Sequence, residues 1–354
     1  MYVKSYSPTI NQYIYNIVKS VDHNELNHSD IKNKKKIEKI LLKLLKYNNI
    51  NDINKLEPPE QLYSNCWFNT MFVNFFFSDK GRKFFKYFRF LMITGKRIEN
   101  KKLININEQD NLNYIFYILN IYIQRTFNQS YNNFYTKKNN AKKHKKSYKQ
   151  KKNVLNIDKY LDKIYLKYNI NKKNTNYFIK NIYDILVEKN KNIINVKQAG
   201  NPIEYYKNII NYLDNTNIYL NELNITNNID ISNYLEQKFQ SNFPHLILIN
   251  DFQSTSKYDI MYNINNIKYK LDSIIITNKD HFNKNSNSHF VSVLTINNKE
   301  YKFDGSSLKK LSSFKWKNKI NKNIDWGFIE DPIYYPHKYN FTKGYKILFY
   351  YRIN

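Results

Sequence analysis

Cysteine is nearly missing from this chain: one residue, Cys66, stands among 354. A lone thiol excludes an intrachain disulfide and any zinc site built on paired cysteines, and it suits a reducing compartment. Glycine and proline are scarce too, at 6 and 7 residues, against heavy use of Asn, Lys, Ile and Tyr. That bias reads as the codon usage of an AT-rich genome and says little about function. Acidic residues are few: 29 Asp and Glu against 57 Lys and Arg leave a net charge of +28. Such a surface attracts polyanions, nucleic acid or an acidic partner, although lysine supplied by AT-rich codons for solubility gives the same balance. No stretch approaches the roughly 18 consecutive apolar residues of a membrane span. The start, Met1 to Tyr6, is polar and lacks the apolar core of a secretory signal. The expectation is a soluble intracellular protein without membrane contact. No cofactor and no metal is called for.

The length allows one large domain with insertions or two ordinary ones, and either buries a sizeable core. From Ile31 to Tyr47 the residues Ile37, Ile40, Leu41, Leu44 and Leu45 recur at helical spacing with lysines on the other face, which predicts an amphipathic helix. Asn48 to Asn54 interrupts the pattern, and Pro58-Pro59 stiffens the approach to Cys66. Residues 1–56 are therefore expected as an N-terminal helical extension, with the main domain at 57–354. The run Trp67 to Phe77 is apolar, aromatic and free of breakers, so it predicts a buried helix with Cys66 at its N-terminus. A second helix is expected through Phe84, Phe85, Phe88 and Leu91.

Residues 137–152 hold nine lysines and almost nothing that could enter a core, which predicts a basic disordered insertion. Helical signals resume from Val154 to about Leu235. From Phe243 onward short β-rich runs dominate: Leu246 to Ile249, Tyr269 to Ile276, Phe290 to Ile296, Tyr301 to Phe303 and Tyr345 to Tyr351. A helical half followed by an antiparallel sheet half is an α+β architecture.

Three residues carry candidate chemistry. A thiol attacks as thiolate, and a helix N-terminus supplies about half a positive charge that lowers its pKa. Cys66 is placed to benefit, although a lone cysteine can equally be an inert core residue. His289 opens one predicted strand and Asp304 closes the next. Asn297-Asn298 between them suits a two-residue type I′ turn, because asparagine tolerates positive φ. The register of that turn sets Asp304 opposite Val291, with His289 two residues along on the same face. Diagonal neighbours of this kind are roughly 7–8 Å apart, within reach of a His–Asp hydrogen bond. Taken singly, His289 reads as a solvent-exposed strand end and Asp304 as a turn residue before Gly305-Ser306-Ser307. No other histidine has an acidic residue across a probable hairpin, with His245 and His281 as alternatives.

The segment Leu62-Tyr63-Ser64-Asn65-Cys66-Trp67-Phe68-Asn69-Thr70 resembles the cysteine box of the ubiquitin-specific proteases, where Asn-Thr-Cys-Tyr-Met-Asn-Ser is typical. Phe243 to Ile249 resembles that family's Leu-Pro-x-x-Leu-Ile-Ile strand, and Tyr269 to Ile276 the strand before its histidine box. Ser288-His289-Phe290 stands for Gly-His-Tyr, and Tyr301-Lys302-Phe303-Asp304 for Trp/Tyr-x-Phe-Asp. Gly344 to Arg352 is similar to the closing Ala-Tyr-x-Leu-Phe-Tyr-x-Arg strand, and Gln198 to Tyr205 loosely resembles a helix-opening segment. These matches follow family order across residues 61–352. The resemblance implies a papain-like cysteine protease fold, with Cys66 as nucleophile, His289 as base, Asp304 orienting it, and Gln61 at the position of the family's oxyanion asparagine. It implies ubiquitin or ubiquitin-like conjugates as partners. Gln61 and Ser288 depart from the family pattern, and no paired cysteines exist for its zinc-bound fingers. Together with the composition, the resemblance points to a large DNA virus and to the host cytoplasm or the virion. The alternatives are a virion maturation protease and a non-catalytic virion or nucleic-acid-binding protein on a degenerate protease fold.

Overall fold

Helical periodicity and β-alternation divide this chain into two layers that share one sheet. The computed structural model describes residues 29–62, 64–106, 111–129, 157–189, 202–214, 216–252, 256–280, 288–328 and 337–353. The helical elements come first. Helix α1 (Ser29–Tyr47) buries the apolar stripe read from the sequence, and packs with α3 (Asp79–Thr94) and α4 (Asn111–Phe127) around α2 (Cys66–Phe76). The segment before residue 57 thus shares the core of the rest, through Ile37, Leu41, Leu44 and Ile50. Every side chain of α2 is buried. Helix α3 begins where Ser78 Oγ accepts the Gly81 N–H at 3.1 Å, and ends at Gly95, whose φ of +62° suits glycine. At Gly81 a Cβ would lie 1.9 Å from the carbonyl oxygen of Asn74, so glycine lets α3 lie against α2.

The first two strands occupy a stretch where the sequence predicted none. Strands β1 (Lys96–Glu99) and β2 (Lys102–Asn105) form a hairpin whose turn residues Asn100 and Lys101 both have positive φ. Helices α5 (Ile157–Lys167), α6 (Thr175–Lys189) and α7 (Pro202–Leu213) then follow the predicted helical stretch. That stretch is interrupted by β3 (Leu220–Ile225) before α8 (Ile231–Lys238). The segment Leu-Asn-Glu-Leu-Asn-Ile is too polar for a strand signal and becomes one by pairing with a neighbour.

The sheet half is α+β as expected, with one correction of detail. Strands β4 (Leu246–Asp251), β5 (Met261–Ile264), β6 (Ile267–Thr277), β7 (Phe290–Ile296), β8 (Lys299–Phe303), β9 (Leu311–Ser313) and β10 (Lys346–Arg352) join β3 in an eight-stranded sheet. Its order is β3-β4-β10-β6-β7-β8-β9, with β5 on β6. All pairings are antiparallel except β3 with β4, which is parallel. Both faces are covered. Ile347, Phe349 and Tyr351 of β10 face the helices, while Leu348 and Tyr350 face a second core with α8, Trp316 and Tyr339. Two-sided burial explains why the central strands read as continuous apolar runs. Among the described residues no helix is long and apolar enough to cross a membrane. The basic insertion at 137–152 lies outside the described residues.

Candidate active site

Cys66 is the first residue of α2. The preceding Asn65 makes no side-chain cap to the helix, because its side chain is engaged elsewhere. Its Oδ1 accepts the Leu62 N–H at 3.0 Å, and its amide donates to Thr175 Oγ1 at 2.9 Å. Thr175, opening α6, donates to Asn69 Oδ1 at 2.6 Å, and Asn69 Nδ2 donates to the Glu60 carbonyl at 3.0 Å. This buried polar network fixes α2, α6 and the 60–62 loop to one another. The first turn of α2 keeps the positive end of its dipole beside the thiol.

The hairpin register is the one the Asn-Asn turn imposes. Ile296 pairs with Lys299 and Ser292 with Phe303, while Asn297 and Asn298 have φ of 50° and 61°. The turn is seated on α3, where the Asp79 carboxylate accepts both backbone N–H groups at 2.8 and 2.9 Å. Ser292 of β7 hydrogen-bonds Asn74 of α2, so the strand following His289 is tied to the helix bearing Cys66. His289 and Asp304 sit just beyond their strand ends, and His289 Nε2 lies 2.9 Å from Asp304 Oδ1. The Cys66 side chain adjoins the imidazole closely enough to help hold its charged form. Cys66, His289 and Asp304 are thus brought together from the start of a helix and the ends of two strands.

The environment sets the charges. Burial opposes a charged imidazole, but the hydrogen-bonded Asp304 and then the neighbouring Cys66 outweigh it and raise His289 to about 10. Burial would likewise lift Asp304, yet His289 and the Ser306 hydrogen bonds hold its carboxyl below the usual range. A carboxylate facing an imidazolium follows, at a residue with 0% exposure. Asp304 Oδ1 also accepts the Ser306 N–H at 2.9 Å and Ser306 Oγ–H at 2.8 Å. Asp304 therefore is the turn residue that its Asp-Gly-Ser context suggested, and His289's partner as well. Its Oδ2 is buried without a hydrogen-bond partner.

Gln61 is brought to this cluster through its backbone. Its N–H donates to the Gly305 carbonyl at 2.9 Å, and flanking Leu62 O accepts Asn176 Nδ2 at 3.1 Å. No described hydrogen bond joins its side chain to Cys66 or His289, and its Oε1 is buried without a partner. Three residues escaped the sequence reading. Ser306 Oγ lies 3.3 Å from His289 Nε2, a role the Asp-x-Ser pattern could have signalled. Asn278 accepts the His289 N–H at 2.9 Å through Oδ1 and donates its own N–H to the His289 carbonyl at 3.3 Å. His337 stacks on the His289 ring, centroids 5.4 Å apart. Nothing in the sequence marks either of the latter two, since each arrives from a distant segment. Of the alternative histidines, His245 accepts the Tyr219 N–H and is lowered to about 4 by burial and then by Arg352, a neutral structural ring. His281 lies outside the described residues.

No family model and no curated protein matches the chain. Among solved structures, it is similar to one titled "Crystal structure of an essential yeast splicing factor", with a TM-score of 0.31 and 12% identity. That similarity covers 48% of this chain and 53% of the other, about half its length. A superposition this loose has no bearing on function.

Proposed function

We propose that this chain is a papain-like cysteine peptidase or isopeptidase that hydrolyses the C-terminal glycyl bond of ubiquitin or a ubiquitin-like protein, in a host cell or a viral particle. The observation that carries the chemistry is the convergence of Cys66, which starts a buried helix, with the hydrogen-bonded pair His289 and Asp304. The order Cys, His, Asp along the sequence and the roles in space match a papain-like triad. The substrate class rests on the resemblance of the cysteine and histidine boxes alone.

In this reading the Cys66 thiolate attacks the glycyl carbonyl carbon and the carbonyl π electrons move to oxygen. The oxyanion is held by the Cys66 N–H, with the Gln61 amide as second donor once its side chain turns to the site. Collapse of the intermediate breaks the C–N bond as His289 Nδ1 delivers its proton to the leaving amine, giving a thioester. His289 then takes a proton from water, whose oxygen attacks the thioester, and the released thiolate and carboxylate restore the site. Asp304 keeps the imidazole oriented and stabilises its cation throughout.

The test is labelling with ubiquitin bearing a C-terminal electrophile. Covalent adduct on wild type and none on Cys66→Ala is the expected result. A folded wild-type protein that neither labels nor cleaves any ubiquitin-like conjugate sinks the proposal and favours a non-catalytic role for the fold. Cleavage of virion precursors without ubiquitin labelling would move the substrate to the maturation reading.

A further inference from the structure

A cleft of about 900 Å³ opens between the 53–62 segment, the C-terminal end of α4, residues 170–174 and residues 308–313, which run into β9. It is separate from the residues placed in the chemistry: neither Cys66, His289, Asp304 nor Gln61 lines it. Glu60 and Leu62 do, so the extended loop turns its alternate side chains to the cleft and leaves Gln61 facing away.

Its charge is one-sided. Arg125, Lys172, Lys173, Lys309 and Lys310 line it against two carboxylates, Glu57 and Glu60, a balance of 5 − 2 = +3. Both carboxylates already have partners: Arg125 lies 2.5 Å from Glu57, and Lys310 is 4.0 Å from Glu60. Lys172 and Lys309 are exposed, and no described ion pair involves Lys172, Lys173 or Lys309. Beside them stands Leu308, 79% exposed, a bare aliphatic group, with half-buried Tyr301 on the same wall. Leu56 and Ile170, both buried, form apolar wall below it.

From that combination of surplus positive charge and a bare aliphatic anchor, we propose that this cleft docks an extended peptide segment in which acidic side chains flank a leucine-sized one. The volume is that of a small-ligand or short-peptide cleft and too small for a nucleic-acid duplex. The cleft is also wired to the chemistry by backbone. The Asp304 N–H donates to the Lys310 carbonyl at 2.9 Å, as the Gln61 N–H does to Gly305. An occupant that fixes the Lys310 and Glu60 walls therefore stiffens the loops carrying Asp304 and Gln61. Docking at this surface does not depend on the thiol chemistry.

The experiment is fluorescence anisotropy of a fluorescein-labelled peptide, Glu-Leu-Glu-Glu-Leu-Glu, with the full chain. Lys172→Glu together with Lys309→Glu is expected to weaken binding by about tenfold or more. Leu308→Ala should cost about fivefold. Lys83→Glu, an exposed lysine of α3 outside the cleft, should leave binding unchanged, as should Cys66→Ala. All these positions except Cys66 are exposed, so the variants should keep the wild-type melting temperature. Wild-type protein that fails to bind, or cleft variants that bind like wild type, overturns the proposal. So does single-stranded oligo-dT displacing the peptide while Leu308→Ala has no effect, because the cleft would then be a charge-only polyanion surface. Retained peptide binding in a protein that never labels with ubiquitin would separate the docking site from the peptidase reading.

Discussion

At the scale of single residues, the proposed triad makes distinct demands on its members. Cys66→Ala removes the proposed nucleophile and should abolish turnover, with the fold preserved because only a small side chain is trimmed. His289→Ala should lower kcat/KM by on the order of 10²–10⁴-fold. Asp304→Asn keeps a group that can position the ring but loses the charge opposite it, so a partial loss is expected in the same assay. The pH dependence has a defined sign. His289 is raised from 6.5 to about 10 on folding, so its contribution to stability is present below about 6.5 and is lost as pH rises through about 10. Asp304 is lowered, so its contribution is present above the ordinary carboxylate range and is lost as pH falls through its folded value. The difference in melting temperature between wild type and His289→Ala should therefore be largest at pH about 4–6.5 and shrink toward pH 10. A difference growing with pH would contradict an imidazolium held by Asp304. The helix start at Cys66 and the turn that aligns His289 with Asp304 were legible because both are local features. Asn278 and His337 were not, since their contact with His289 depends on how β6 and the 337–345 segment pass it.

At the scale of elements, the β7–β8 hairpin is the piece on which the geometry turns. Its register follows from two asparagines that accept positive φ, a local property, and its seat follows from Asp79, which sequence could not connect to it. Asp79 accepts the Asn297 and Asn298 N–H groups and pairs with Arg82 at 2.8 Å, a buried guanidinium. Asp79→Ala leaves both sets of donors without their acceptor and should destabilise the protein by about 2–4 kcal/mol. A fall in the urea midpoint at unchanged m-value would register it. Gly305 makes the other crossing. A Cβ there would stand 3.0 Å from the Gln61 nitrogen and 3.2 Å from the Pro59 carbonyl oxygen. Gly305→Ala should displace the Gln61 loop, lowering activity well beyond any change in melting temperature. Strand β3 and the β1–β2 hairpin were missed for one reason: short polar strands get their pattern from partners and not from their own alternation.

At the scale of the whole molecule, burial on both faces of the sheet leaves little room for charge, yet a lysine–carboxylate pair sits inside, away from the candidate site. Lys346 is 1% exposed, with Nζ 2.6 Å from Asp251 Oδ2, which also accepts the Tyr258 hydroxyl at 2.7 Å. Lys346→Ala strands that carboxylate and should cost about 3–5 kcal/mol in a denaturant titration. The basic composition acts at long range instead. Deleting residues 137–152 removes nine lysines; DNA retention on a salt gradient should weaken and melting should stay nearly unchanged, and an unfolded deletion would show that the segment is structural. By itself the sequence determined the α+β division, the helix that begins at Cys66, and the turn that aligns His289 with Asp304. Each depends on spacing within a few residues. Only the tertiary structure decided that α2 lies against β7 with Cys66 near His289, that Gly305 holds the Gln61 loop, and that a basic cleft opens beside them. Those are contacts between segments far apart in the chain, fixed by the packing of two layers against one sheet, and no local pattern carries them.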